Sequence, residues 1–191
     1  IRVQLSKGST IFGMNQFSLH KPTSRQIPDD MLFQRWIRTA GNLAPRHEFV
    51  NLHFNGDNWG VMNMEEHMSS MFLEIAGRRA SPIFKLVEND KWSGMLSPNN
   101  AQYKMPTYPL HHMAQYNRRI YKDDDAQTAL FKYAEQAYKN YLLGNFPLEN
   151  LIDIDTFSRV LISTIVWGST HTASLANMRF YLNPLNLKIE P

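Results

Sequence analysis

Asn55-Gly56, set inside an alternating apolar pattern, limits the possible folds of this chain more than any other feature. Before it, Glu48 to Phe54 alternates so that Val50, Leu52 and Phe54 share one face of an extended strand. After it, Trp59 to Met64 reads as a second strand. Asn-Gly suits a tight turn that needs positive φ, so the two strands are predicted to fold directly back on each other as a β-hairpin.

The rest of the chain reads as alternating strands and helices around that hairpin. Ile1 to Lys7 alternates as a half-buried strand and Gln16 to His20 as another, stopped by Lys21-Pro22. Asp29-Asp30 offers a cap and an acidic first turn for a helix carrying Leu32, Phe33, Trp36, Ile37 and Ala40, with Gly41-Asn42 as its stop. A short helix is predicted from His67 to Ala76 and a strand from Ser81 to Val87. Glu88 to Pro109, rich in Asn, Pro, Ser and Lys, reads as a long loop between two lobes. A helix follows from Ala126 to about Leu143, with Leu130, Tyr133, Ala134, Ala137, Tyr138 and Tyr141 inward. Another opens at Asp153 or Asp155 and runs through Trp167, and a last hairpin turns at Asn183-Pro184. The predicted fold class is therefore α+β, with a strand-rich first part over residues 1–90, a linker over 91–125 and a helical part over 126–191.

Composition narrows the function classes. With 191 residues and 43% hydrophobic content, the chain can bury a core. It has no cysteine, which excludes disulfides, thiol catalysis and cysteine-based zinc sites. Its formal charge is only +3, and its basic residues are scattered rather than gathered in a stripe, so nucleic acid is not an expected partner. No apolar run reaches the roughly 18 residues that span a bilayer. Both ends fall in strand patterns, and the chain reads as a piece cut from a longer protein.

No Gly-rich phosphate loop, HExxH or GxSxG motif is present, and the adjacent His111-His112 do not have a metal-ligand spacing. Glu65-Glu66-His67 has two readings: acidic capping of the following helix, or a polar cluster at the mouth of a cleft. Lys85, in Ile83-Phe84-Lys85-Leu86-Val87, either snorkels to the strand edge or meets an anion. His171 and Asn177 either cap a loop or serve as a base and a cation ligand. A polysaccharide-cleaving enzyme would need two carboxylates flanking a cleft, and the sequence identifies no such pair.

Together, several segments resemble the CotH kinase-like family, the spore coat protein H group. The run from Phe49 through Asn55-Gly56 and Gly60 to Glu66-His67 resembles its central signature. Phe17 to Arg25, the helix ending at Gly41, Ser81-Pro-Ile-Phe-Lys85 and Asn177-Met-Arg-Phe-Tyr-Leu-Asn-Pro184 fit its flanking segments. The resemblance implies a two-lobed atypical protein kinase fold that holds ATP and a divalent metal such as Mg and transfers phosphate to Ser-rich surface or secreted proteins. It also implies an extracytoplasmic, cell-surface or spore-coat setting. It makes Lys85 and Glu66 candidates for the nucleotide cleft, Lys21 and Arg25 candidates for the phosphate side, and Asn177 a candidate metal ligand.

Two departures accompany it. The position five residues before Asn177, where kinases carry an Asp base, is Thr172, with His171 beside it as a substitute base. The metal-gripping Asp expected after the Lys188 to Pro191 strand is not in the chain. The resemblance therefore also admits a catalytically inactive scaffold for envelope, coat or exopolysaccharide assembly, and predicts that this fragment by itself is inactive.

Overall fold

The computed structural model describes residues 1–24, 28–87, 111–116, 124–169, 172–174 and 177–191. The fold is mixed α/β, and the described residues form two four-stranded antiparallel sheets and five α-helices. The chain divides into two compact units: Ile1–Ala80 with Ser158–Ser163, and Ser81–Phe157 with Thr164–Pro191.

The sheet of the first unit contains β1 (Arg2–Gln4), β2 (Gln16–His20), β3 (His47–Phe54) and β4 (Asp57–Glu66), in the order β1-β2-β4-β3. The hairpin expected at Asn55-Gly56 is β3–β4. Phe54 pairs with Asp57, and Asn55 and Gly56 have φ of 52° and 88°, the two left-handed residues of a type I′ turn. The ladder then slips by one residue: Leu52 pairs with Gly60 but His53 with Asn58, which leaves Trp59 as the extra residue of a β-bulge. Gly60 takes φ 77°, and its N–H donates to Asn58 Oδ1 at 2.8 Å. The core face of the sheet buries Met14, Phe17 and Met64, with Val3, Leu5, Leu19 and Val50 packed around them.

Helix α1 (Asp29–Thr39) forms where predicted and buries Phe33 and Ile37. Leu32 and Trp36, two of its helically spaced apolar residues, are exposed. The Trp36 indole N–H donates to Ser163 Oγ at 3.0 Å, and Arg159 Nε donates to Asn42 Oδ1 at 3.1 Å. These bonds tie residues 158–163 to α1 and its C-terminal stop. Helix α2 is shorter than predicted, Ser70–Ile75, because β4 continues through Glu66 and Ser69 supplies the cap by accepting from the Phe72 N–H.

The second sheet has the order β6-β5-β7-β8, from β5 (Ile83–Val87), β6 (His112–Gln115), β7 (Phe180–Leu182) and β8 (Ile189–Glu190). Helices α3 (Asp125–Leu142), α4 (Leu148–Leu151) and α5 (Ile154–Val166) complete the element order. Phe84, Met113, Ala134, Ala137, Leu151, Phe180, Leu182 and Ile189 form this unit's core, so α3 lays its small residues Ala134 and Ala137 against the sheet. Phe84 stacks on Phe180, and Phe180 on Phe157. Asp124 caps α3 through the Gln127 N–H, and Asp153 caps α5 through the Thr156 N–H.

Strand β6 was not expected from the sequence. His112-Met-Ala-Gln115 has little β-branched or alternating character and pairs because β5 offers it a ladder from Phe84 to Val87. The last hairpin is looser than an Asn-Pro turn. Asn183 and Lys188 close a longer loop, with Leu187 N–H donating to the Asn183 carbonyl and Leu185 N–H to the Asn183 side chain.

Candidate functional site

Strand alternation separates the first sheet into an apolar face and a polar one. On the polar face, Arg2 lies opposite Ser18, Ser18 opposite Glu65, and Glu65 opposite His47. The neighbouring row places His20 opposite Asn63 and Asn63 opposite Phe49. Diagonal contacts join the rows: His20 Nε2 lies 3.3 Å from Glu65 Oε2, and His47 Nδ1 lies 3.2 Å from Asn63 Oδ1. His67, just past β4, meets Ser18 Oγ through Nε2 at 2.7 Å. Ser18, His47 and Asn63 are all buried, and Asn63 Nδ2 has no hydrogen-bond partner among the described residues.

This arrangement favours a neutral His67. Burial holds its imidazole below the ordinary value, and the charges of Arg2 and His20 act in the same direction while Glu65 opposes them. A base with a depressed folded-state value contributes stability that is full above its unfolded value of 6.5 and is lost as the pH falls from there through the lower folded value. The unfolding midpoint is therefore expected to drop as the buffer is taken below pH 6.5. His67→Gln, which keeps a polar end for Ser18, should flatten that decline; an unchanged pH profile would show that His67 does not set it.

On the opposite face, Glu66 pairs with Arg46. The Glu66 side chain is 3% exposed and is gripped by Arg46 Nη2 at 2.6 Å and Nε at 2.8 Å. This fork-to-fork pairing holds the Arg46 guanidinium above its ordinary value. Arg46 also donates to the carbonyls of Phe12 and Gly13. Nearby, Arg38 Nη1 donates to the Pro45 carbonyl, and burial lowers the Arg38 value. The helix-capping reading of Glu65 and Glu66 is thus overturned: both belong to β4, one facing His20 and the other Arg46, while Ser69 does the capping.

The other predicted site residues are spread over the two units. Lys21 is exposed at the end of β2. Lys85 is half-buried in β5, opposite Ala114 and between the buried Ile83 and Val87. Asn177 is exposed, and its backbone N–H donates to the Ser174 carbonyl. Thr172 Oγ1 lies 2.7 Å from Ser169 Oγ. Arg25 and His171 lie outside the described residues. Lys21 and Glu66 fall in the first unit, Lys85 and Asn177 in the second.

Arg46 was missed by the sequence reading. Without the bulge, the hairpin register would set it against Glu65; the extra residue Trp59 moves it opposite Glu66. Gly60, four residues past Gly56, was the available signal.

Lys85 and Lys21 are cations; a divalent metal needs a cluster of ligands. Among the described residues no three His, Asp or Glu side chains are grouped so as to hold one, and Asn177 alone does not make a metal centre. Among the described residues, no helix is long and apolar enough to cross a membrane.

No curated protein matches the chain. The family model described as CotH kinase protein matches residues 3–190, nearly the whole length, including the hairpin, the Arg46–Glu66 pair, Lys85 and Asn177. The chain belongs to the CotH kinase protein family.

Proposed function

We propose that this chain is part of a two-lobed, ATP-dependent protein kinase that phosphorylates Ser or Thr of surface or secreted proteins. The observation that carries the reading is the family match over residues 3–190. In this reading Lys85 holds a nucleotide phosphate. Its position between buried Ile83 and Val87 supports that role, because partial desolvation strengthens attraction to an anion. Lys21 and Arg25 add positive charge on the phosphate side. Glu66 acts through Arg46, and His171 and Asn177 serve as base and Mg ligand.

The test is incubation of the full-length protein that carries this chain with γ-labelled ATP, Mg and a Ser-rich acceptor. Label should enter the acceptor and fall to background in Lys85→Ala and Asn177→Ala, whose unfolding temperatures stay near that of the parent. Absence of labelling, together with no rise in unfolding temperature on adding ATP and Mg, would reject the proposal. Thr172, standing where kinases carry their Asp base, favours a second reading: an inactive kinase-like scaffold in coat or envelope assembly. That reading predicts no transfer by the parent protein, and full assembly function in the Lys85→Ala variant.

A further inference from the structure

Strand β3 is an open edge. The order β1-β2-β4-β3 gives it a neighbour on one side only among the described residues. One bond fixes which of its backbone groups are used: the Glu66 N–H donates at 2.9 Å to the carbonyl of Arg46, the residue before β3. Counting by twos along the register, Glu48, Val50 and Leu52 likewise bond to β4. The N–H and C=O groups of Phe49 and Asn51 therefore point away from β4. The bulge lies on β4, so the alternation continues unbroken along β3 and turns His53 outward as well. Among the described residues no strand pairs with this row.

This edge lacks the usual protection. Free edges are guarded by shortness, by lysine or proline, or by a bulge in the edge strand itself. The other three sheet edges follow that rule: β1, β6 and β8 have three, four and two residues. Strand β3 has eight, with neither lysine nor proline among them, and its bulge is on the neighbouring strand. Phe49 is 46% exposed and Phe54 48%, so nothing in the described structure covers the row. Alternating donors and acceptors at strand spacing are matched by extended polypeptide backbone.

We propose that β3 pairs with β3 of a second copy of this chain, antiparallel about a two-fold axis at Asn51, joining two four-stranded sheets into one. That axis sets Asn51 against its own counterpart and Phe49 against His53 of the second copy, outward residue against outward residue, as a bonded ladder requires. On the opposite face Val50 meets Leu52, which extends the apolar face where Val50 already packs with Met14, Phe17 and Met64. Glu48 is the one acidic residue of β3 and falls opposite Phe54, so the two Glu48 carboxylates stand at opposite ends of the ladder. An axis at Val50 would instead oppose His47 and His53. The absence of like charges across the Asn51 axis is what favours a second copy over an unrelated segment. The pairing is independent of phosphoryl transfer.

The test is the mass of the full-length protein that carries this chain, followed by sedimentation across a dilution series, with amide hydrogen exchange read by NMR. The parent should form a dimer on concentration. The amides of Phe49, Asn51 and His53 should slow with dimer formation, while those of Val50 and Leu52 stay protected at every concentration through their bonds to β4. Asn51→Pro removes an outward N–H and leaves the β3–β4 ladder whole, so it should raise the dimer dissociation constant by about tenfold or more without unfolding the monomer. Phe49→Lys, which puts a guard on the exposed edge, should act in the same direction. A monomer at all concentrations, a dimer unaffected by both substitutions, or slowing of those three amides only when a different polypeptide is added would each overturn the proposal.

Discussion

Replacing Arg46 by alanine is expected to lower the free energy of unfolding by about 3–5 kcal/mol, the range for breaking a buried pair by removing one partner. Most of that loss is the charge left behind. Glu66 is 3% exposed and takes donors from Arg46 on both carboxylate oxygens. Without the guanidinium it must either stay ionised in a dry site or take up a proton. The Phe12 and Gly13 carbonyls lose a donor as well, so the connection between β1 and β2 loses a tie to Arg46. Arg46→Lys should recover little, because an ammonium cannot reproduce the planar fork that reaches the carboxylate and two carbonyls together. Urea unfolding of Arg46→Ala, Glu66→Gln and the double variant would measure the coupling. If the double variant is no more stable than Arg46→Ala, the stranded charge is not the cause and this account of the pair fails.

Phe84→Ala should produce a comparable loss, about 3–5 kcal/mol, by a different mechanism. Phe84 is 1% exposed at the centre of the second unit's core, stacked 5.8 Å from Phe180 and edge-on to Phe131 at 6.2 Å. Truncation removes the transfer free energy of a ring and leaves a cavity that strands β5, β6 and β7 cannot close, since each is held in ladder register with its neighbour. Phe84→Leu should keep more of the volume and cost less. The same urea titrations decide the matter: equal midpoints for parent and Phe84→Ala would mean that this core is not packed as described.

The two substitutions probe different parts of what the sequence made readable. The apolar run from Ile83 to Val87 marked β5 directly, while the burial of Phe84 emerged only with the second sheet. Helix α1 was equally plain from its acidic first turn, apolar spacing and Gly41, although Pro28 and not an Asp stands at its N-cap and no side chain caps it. Pairing across distance was less visible. Strand β6 owes its conformation to β5, not to its own residues. The paired role of Glu66 was hidden because two adjacent acids ahead of an apolar run look like a helix cap, and only the length of β4 shows otherwise. Among the site residues, Lys85 and Asn177 were singled out from their local sequence and given roles by resemblance, whereas the His20–Glu65 and His47–Asn63 contacts had no local signature. Residues that meet across strands are separated in sequence, and their side chains share a face only once the register is set.

By itself, the sequence determined the hairpin at Asn55-Gly56, the mixed α/β class and the two long helices, while the family was recognised by resemblance. The first three follow from residues close together in the chain: a turn that needs left-handed residues, periodic apolar positions, and caps. The tertiary structure decided which charges meet. One extra residue at Trp59 shifts the ladder of that same hairpin and carries Arg46 from Glu65 to Glu66. A bulge alters local geometry by a single residue, but every pair beyond it changes partner, and so the ion pair follows from a register that the turn residues alone do not specify.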